Sequence, residues 1–217
     1  MLLAFDTASA TVSVAVVQVD GGEGVGVRAE VTSEQEMRHG EQLAPLVARA
    51  LEEGGVDRTE VTAVAVGVGP GPFTGLRVGL VTARTLGFVL DVPVYGVCSL
   101  DVLAVQAVDT GAVDSPFVVA TDARRKEVFL AGYDEDGVRT TGPAVSKPAE
   151  VATDAPVVGE GAVLYPEAFP NAIGPRRASA AWLGLVVAQE RAELLDPEPL
   201  YLRRPDAEVP GPPKPVS

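Results

Sequence analysis

The chain has 217 residues, of which 47% are hydrophobic and 22% charged, a balance typical of a soluble globular protein. Its net charge of -13 disfavours direct binding to a phosphate backbone, because nucleic-acid binders gain most of their affinity from lysine and arginine. The single cysteine excludes an internal disulfide. The opening apolar run ends at Asp6, too early for a signal peptide, and no later run is bare enough to span a bilayer. We therefore expect a cytoplasmic protein with no membrane segment.

The first half of the chain alternates between strand and helix patterns. Residues 2–5 predict a buried strand closed by Asp6, and "TVSVAVVQV" and "VGVRAEVTS" predict two strands joined by the turn "DGGEG". Helical spacing then covers residues 39–53 and stops at Gly54. "VTAVAVGV" predicts a central strand, residues 74–90 a second helix and "VPVYGV" a fifth strand. A third helix begins at "SLDVLAVQAV", with Ser99 as its expected N-cap.

The two halves of the chain resemble each other. The segments from Leu3 and from Val118 each give an apolar strand ending in aspartate (Asp6, Asp122), a small turn, an alternating strand and an acidic glycine turn. The second copy is less clear until the helix pattern "ASAAWLGLVVAQERAELL". Two βββαβα units predict an α/β fold of the actin-like ATPase (ASKHA) type with two RNase H-like lobes. We place the lobes at residues 1–103 and 104–204, the second degenerate, and a flexible proline-rich tail at 205–217.

The stretch "GVGPGPFTGLRVG" has the glycine content of a phosphate-binding loop. Its glycines are wrongly spaced for a P-loop or a dinucleotide motif, and no lysine and hydroxyl pair follows them. Pro70 and Pro72 also remove two backbone N–H donors. We favour a rigid turn, with Thr74 as the N-cap of the helix, over a phosphate site.

Small residues recur every four positions along the second predicted helix, at Gly75, Gly79, Ala83 and Gly87. Since a helical glycine costs about 0.5–1 kcal/mol relative to alanine, this stripe indicates a very close neighbour. The rest of the helix is apolar nearly all round, so it is either buried between the sheet and the second lobe or covered by another protein. We favour another protein, because a small chain has little mass to cover both faces.

Four residues lie where actin-like ATPases place groups that face the nucleotide: Asp6, Thr7, Ser9 and Asp122. Ala8 stands where those enzymes usually carry glycine, and the second turn, "DARRKE", has no glycine. We interpret the four as vestigial nucleotide-facing positions, with turn-forming caps as the alternative.

His39 and Cys98 are the single histidine and the single cysteine of the chain. A metal site draws on several such ligands, and a nucleophile needs a nearby base. We therefore expect no metal site and no catalytic residue. Cys98 is expected to be a packed core thiol, and His39 a cap or contact residue at a helix start.

Six segments, spread in order over residues 3–204, resemble the TsaB family: "AFDTASATVSVAVV", "HGEQLAPLVARAL", "AVGVGPGPFTGLRVGLVTARTLG", "VYGVCSLDVLA", "DARRKEVFLAGY" and "EPLYLRR". The resemblance implies a bacterial, cytoplasmic protein that helps to form N6-threonylcarbamoyladenosine beside the anticodon of tRNAs reading codons that start with A. It implies a non-catalytic subunit that supports a TsaD-type transferase. A TsaE-type ATPase joins the assembly, and tRNA is contacted mainly through the complex.

The resemblance also implies that the first two helices bind TsaD, or a second copy in a homodimer. The expected interface residues are His39, Leu43, Leu46, Val47, Gly75, Gly79, Leu80, Ala83 and Gly87. No cofactor is expected to bind tightly, with ATP and magnesium only in the complex. Two rival functions stay open: an active kinase or ATPase of the same superfamily, and a peptidase.

Overall fold

The computed structural model describes residues 1–20, 24–33, 35 and 38–203. Within them the chain forms two five-stranded sheets, which confirms the predicted α/β fold class. The predicted tail at 205–217 and the centre of the predicted turn "DGGEG" lie outside the described residues.

The N-terminal sheet mixes antiparallel and parallel pairing. Its strands are β1 (Leu2–Asp6), β2 (Ser13–Asp20), β3 (Gly24–Thr32), β4 (Ala63–Gly69) and β5 (Val94–Cys98). They lie in the order β3-β2-β1-β4-β5, with β1 antiparallel to β2 and parallel to β4. Every residue of β1 is buried, as expected for a central strand covered on both faces.

Three helices of the first half divide between the two faces of this sheet. They are α1 (His39–Gly54), α2 (Phe73–Leu90) and α3 (Ser99–Asp109). Leu3 and Phe5 of β1 pack with α1 and α2, whereas Leu2 and Ala4 pack on the α3 side. This alternation follows from the two-residue period of a strand.

The C-terminal sheet repeats the plan of the first. Its strands are β6 (Phe117–Asp122), β7 (Val128–Tyr133), β8 (Arg139–Ser146), β9 (Val157–Val158) and β10 (Ala172–Ile173), in the order β10-β9-β6-β7-β8. The predicted duplication is therefore present, but the helix that should follow β8 is reduced to a short 3-10 turn at Pro148–Glu150. The next helix, α4 (Glu160–Leu164), has only five residues.

The last described helix, α5 (Ala180–Ala188), packs on the N-terminal sheet instead of its own. Leu183 lies in the same apolar cluster as Leu2 and Ala4. Gly184 permits this approach, since a Cβ there would run into Val17. The helix is also shorter than its sequence pattern predicts, ending before Gln189.

Helix α3 serves both lobes. Leu100 and Leu103 pack against the C-terminal sheet, while Val102 and Val105 join the cluster shared with α5 and the N-terminal sheet. The lobe boundary that we expected after residue 103 thus falls inside a helix, and the two lobes share it.

Candidate functional site

The predicted nucleotide-facing residue Asp6 ends β1 at the cleft between the lobes. Its Oδ2 accepts a hydrogen bond from Ser99 Oγ at 2.6 Å, and its Oδ1 accepts one from the Ala8 backbone N–H at 2.8 Å. The side chain is only 2% exposed. Burial raises the pKa of Asp6, although the bonds from Ser99 and Ala8 oppose that change. Both carboxyl oxygens are thus already engaged within the chain.

The close packing around Asp6 also explains a glycine in the neighbouring strand. A Cβ at Gly67 would overlap the Asp6 carboxyl group and approach Ser99 Oγ to 2.8 Å. The prediction that Ser99 is the N-cap of α3 is wrong, because Cys98 holds that position. Instead, the Ser99 hydroxyl donates its hydrogen bond to the carboxyl group of Asp6 at the end of β1.

The second copy repeats the aspartate turn but leaves it more open. Asp122 Oδ1 accepts the Arg124 backbone N–H at 2.8 Å, matching the bond from Ala8 to Asp6. After Ala123, the three successive residues Arg124, Arg125 and Lys126 all have left-handed backbone conformations, with φ of 61°, 56° and 60°. Such angles favour glycine, and cationic side chains occupy them here.

The cleft between the two turns has a volume of about 240 Å³. Its charged lining mixes three carboxylates with three guanidinium groups: Asp6, Asp122, Glu160, Arg124, Arg176 and Arg177. Arg177 is paired with Glu160 at 2.7 Å. Ligand pockets are usually about 300–1,000 Å³, so this cleft suits a small polar group better than a whole nucleotide.

Ser9 and Thr7, two further predicted nucleotide-facing residues, meet different surroundings. Ser9 lines the cleft, and its hydroxyl is bonded locally to Thr11. Thr7 is fully buried, and its Oγ1 lies against Gly79 of α2 with no hydrogen-bond partner among the residues described. The sequence pattern therefore brings Asp6, Ser9 and Asp122 together at the cleft but turns Thr7 away from it.

His39 packs against the turn that follows β1. It is 4% exposed, and its Nε2 lies 2.8 Å from the carbonyl oxygen of Ser9. A Cβ at Gly75 would come within 3.3 Å of the same nitrogen. His39 is thus the first residue of α1 and a buried packing partner of the turn, not a surface contact.

The small-residue stripe of α2 faces the chain's own core, which contradicts our preferred interpretation. Gly75, Gly79, Ala83 and Gly87 are all buried. A Cβ at Gly79 would collide with Thr7, and one at Gly87 with a side-chain methyl of β5. The stripe exists because the sheet and the first turn approach the helix closely. It offers no path for a partner's helix.

The other predicted interface residues are also mostly internal. Leu43, Leu46 and Leu80 are 1%, 8% and 4% exposed, and Val47 is partly buried against the same core. The prediction that these side chains meet a partner is therefore wrong for Leu43, Leu46 and Leu80, whereas Val47 keeps part of its surface exposed. Periodicity identified the apolar face of each helix correctly but did not reveal what covers it.

The face of α2 that points to solvent carries apolar side chains that the predicted interface did not include, although the helix was expected to be apolar nearly all round. Val81, Phe88 and Val89 are 63%, 87% and 69% exposed, and Phe73 is 50% exposed. We call these four residues, together with Arg77 and Arg84, the α2 ridge. The two arginines, the only charged residues of α2, mark the solvent side and could have identified it from the sequence.

The start of α2 also departs from expectation. Pro72 is its N-cap, no side chain caps the first turn, and the first helical bond runs from Leu76 N to Pro72 O at 3.0 Å. Thr74 lies within the helix, so its predicted capping role is wrong. By length and composition α2 could cross a membrane, but one such helix is weak evidence, and its glycine face is packed on the sheet.

Cys98 lies at the end of β5, in the apolar cluster between α3 and the C-terminal sheet. The thiol is fully buried, which confirms the predicted core position, and burial raises its pKa to about 12. Nearby, Tyr133 Oη donates to Asp101 Oδ1 at 2.7 Å, and Arg139 Nε lies 3.5 Å from the same oxygen. Such a thiol stays protonated and is a poor nucleophile.

No group of three or more His, Cys, Asp or Glu side chains is arranged to hold a metal ion in the described part of the chain.

Comparisons with known proteins place this geometry among relatives. The family model described as TsaD, tRNA N6-adenosine threonylcarbamoyltransferase, matches residues 23–194. An uncharacterised protein of Mycobacterium tuberculosis is 42% identical over 209 residues, covering 95% of this chain and 93% of that protein. The tRNA threonylcarbamoyladenosine biosynthesis protein TsaB of Haemophilus influenzae is 32% identical over 139 residues, covering 64% of this chain and 56% of that protein.

A solved structure of similar size agrees with these matches. It is a Pseudomonas aeruginosa protein described as similar to the peptidase YeaZ, with a TM-score of 0.76 and 30% identity. The alignment covers 93% of this chain and 99% of that one.

Proposed function

Because the chain belongs to the TsaB (YeaZ) family, within the group that the TsaD family model describes, we propose that it is a non-catalytic subunit for tRNA modification. In this role it supports a TsaD-type transferase that forms N6-threonylcarbamoyladenosine beside the anticodon of tRNAs reading codons that start with A. The exposed α2 ridge is the observation that carries the proposal.

The α2 ridge is a candidate surface for a protein partner because the opposite face of α2 is already packed on the sheet. The glycines of α2 are packed against the sheet, whereas Val81, Phe88 and Val89 remain open to solvent on the far side. Clustered exposed apolar side chains on a soluble domain commonly mark a protein interface. The two helices of the resemblance thus keep their proposed role, but with outward side chains in place of the buried ones first expected.

The cleft argues against independent ATP chemistry. Ser99 and Ala8 occupy both oxygens of Asp6, and burial favours its neutral form, which is a weak ligand for a magnesium ion. The opposite turn presents Arg124 and its neighbours where a glycine-rich hairpin would approach phosphates. We therefore expect ATP and magnesium to act only in the assembled complex.

Peptidase activity has little support from the residues that would have to perform it. His39 is held against the Ser9 carbonyl in the core, and Cys98 is a buried thiol with a raised pKa. Neither can reach a peptide in the folded chain. A casein degradation assay with a His39→Ala control should show no difference from buffer.

The wider assembly follows from the same proposal. We expect a TsaE-type ATPase to join the pair, tRNA to be contacted mainly through the complex, and the protein to work in the cytoplasm. The net charge of -13 fits a subunit that leaves most phosphate contacts to others. When the partner is absent, the ridge can serve a homodimer.

The direct test is co-purification with the TsaD-type protein of the same organism. Phe88→Asp should abolish pairing, because it places a charge at the most exposed apolar position of the ridge. Val163→Asp, on α4 and 43% exposed, is the matched control and should pair normally. Normal pairing by a folded Phe88→Asp variant would contradict the proposal, as would binding of Mg-ATP by the chain alone in a calorimetric titration.

A further inference from the structure

The segment after α5 crosses from one lobe to the other. We call residues 195–203 the strap. It begins at β5, where Leu195 and Gly96 exchange two backbone hydrogen bonds of 2.8 Å. It continues past the end of β4, where Leu200 N donates to Val68 O at 2.9 Å. It reaches the C-terminal lobe where Arg203 contacts Glu127. Its backbone is thus fixed by the fold.

The side chains of the strap lie on the first half of the α2 ridge. The ring of Tyr201 stacks on that of Phe73, with centroids 5.4 Å apart. Arg77 Nε donates to Tyr201 Oη at 3.1 Å, and the Arg77 guanidinium lies 3.9 Å from the Phe73 ring centroid. These contacts hold the three side chains as a unit. The Arg84 to Glu198 pair at 3.3 Å is well exposed and adds little.

Together the strap and the ridge form one apolar surface. Five of the eleven large hydrophobic side chains that are exposed in the described residues lie on it, Tyr201 and four of α2, so the apolar exposure is concentrated there. Tyr201 itself is 42% exposed despite its stacking contact. An aromatic side chain that is both held in place and half open resembles the anchors of protein interfaces.

We propose that the strap is part of the partner-binding surface, in which Tyr201 both contacts the partner and positions Phe73 and Arg77 of α2. This inference rests on the proposed function and adds an element outside the two helices. The surface fits a partner helix whose apolar side chains are bordered by a carboxylate that meets Arg77, because Arg77 contacts only the neutral side chains of Tyr201 and Phe73 within the described residues, whereas Arg84 is already paired with Glu198 of the strap. The TsaD-type protein is the occupant to which we commit.

A second copy of this chain fits the same surface less well. A two-fold axis near Arg77 would bring the Arg77 guanidinium groups of the two copies towards each other. Like charges that meet at an interface oppose association.

The test measures the affinity of the full chain for the TsaD-type protein of the same organism by calorimetry. Tyr201→Ala should weaken binding at least about tenfold, in the range of an aromatic anchor. Tyr165→Ala, which removes a partly buried tyrosine of the C-terminal lobe, is the matched control and should leave the affinity unchanged. Circular dichroism and thermal unfolding of each variant separate lost contacts from lost folding.

A double-mutant cycle tests the positioning part. Phe73→Ala and the double variant with Tyr201→Ala should not be additive, because the two rings act through one stack. Tyr201→Phe keeps the stack and removes only the hydroxyl that accepts from Arg77, so a loss of about two- to threefold is expected. Additive effects of Phe73 and Tyr201 would overturn the positioning role.

The outcomes separate this inference from the proposed function. If the wild-type chain does not bind the TsaD-type protein, the proposed function fails and the strap inference fails with it. If Phe88→Asp abolishes binding while a folded Tyr201→Ala variant binds normally, only the strap inference is overturned. A homodimer that depends on Tyr201, with unchanged affinity for the TsaD-type protein, would assign the strap to a second copy and also overturn it.

Discussion

The two copies of the repeat begin alike and end differently. Both close a central strand with an aspartate that accepts the backbone N–H two residues later, at 2.8 Å in each case. In the first copy the carboxyl group is then sealed under Ser99, whereas Asp122 stays partly open beside Arg124. The same strand and turn pattern is therefore present in both copies, but the burial and the bonding partners of its aspartate depend on the residues packed around it.

The helices differ even more than the turns. The first copy has α1 and α2 on one face of its sheet, while the second has only a 3-10 turn in place of the first helix and the five-residue α4. The second copy also lends α5 to the sheet of the first.

The largest effect is expected for Gly79→Leu. Its side chain would enter the space of Thr7, and overpacking a tight core costs about 1–3 kcal/mol even for small additions. We expect no soluble folded protein, judged by circular dichroism and size-exclusion chromatography. Gly26→Ala, where a Cβ meets nothing within 4 Å, is the control and should fold. A folded Gly79→Leu protein would contradict the tight packing of the small-residue face of α2 against Thr7.

Leu183→Ala tests whether α5 belongs to the first lobe. The side chain is fully buried in the cluster with Leu2 and Ala4, so its removal should destabilise the protein by about 2–5 kcal/mol. Hydrogen exchange should rise first in β1 and β2, read by mass spectrometry. If the strands of the second sheet lose protection instead, the helix does not support the sheet on which it lies.

Asp6→Asn tests the covered aspartate through pH. Burial raises the pKa of Asp6, so its contribution to stability is greatest below the pKa of an unfolded aspartate and is lost as pH rises through the folded value. Asparagine escapes this loss, and the variant should gain on wild type with rising pH, by at most about 1.4 kcal/mol per pH unit.

The check is chemical denaturation at several pH values between 4 and 8. Asp122→Asn is the counterpart in the second copy, where the carboxylate is paired with Arg124. A constant difference between Asp6→Asn and wild type across this range would mean that the carboxyl group is charged and solvated in the folded protein.

Glu30→Ala should have the smallest effect. Glu30 Oε1 accepts from Ser179 Oγ at 2.7 Å and from Ser13 Oγ at 2.9 Å, joining β3 and β2 to the start of α5. The same oxygen accepts from the Ala181 backbone N–H at 3.3 Å, so Glu30 satisfies a donor in the first turn of α5, and loss of a capping contact of this kind costs about 0.5–2 kcal/mol. Thermal unfolding measures the change, and Glu52→Ala on the exposed side of α1 is the control. An unchanged melting temperature would remove this contact from the attachment of α5.

The sequence predicted what depends on local pattern. The strand runs and the repeated aspartate predicted the α/β fold class with two similar lobes, and the structure has two five-stranded sheets. The αL conformation of Gly55 matches the predicted stop of α1. The predictions of the two N-caps were wrong because backbone conformation and a tertiary hydrogen bond determined these positions. Pro72 begins α2 through its extended backbone, and the Ser99 hydroxyl finds Asp6, 93 residues away, a stronger partner than the helix end.

The covers of the helices could not be predicted for the same reason. A stripe of glycines indicates a close neighbour but does not identify it: Gly79 meets Thr7 of the first turn, which is distant in sequence, and Gly87 meets Val94 of the following strand, β5. Likewise, nothing local in "ASAAWLGLVVAQERAELL" says that the helix leaves its own sheet. The predicted interface residues therefore fell on the buried faces of α1 and α2.

The borrowed helix has a consequence for the order in which the nascent chain can fold. Residues 180–188 leave the ribosome long after β1, yet they complete the apolar face on which Leu2 and Ala4 lie. The first sheet therefore keeps this face incompletely covered until α5 has been translated. A stop codon just before residue 180 would therefore expose the face of the N-terminal sheet that α5 covers, although the truncation lies in the second half of the chain.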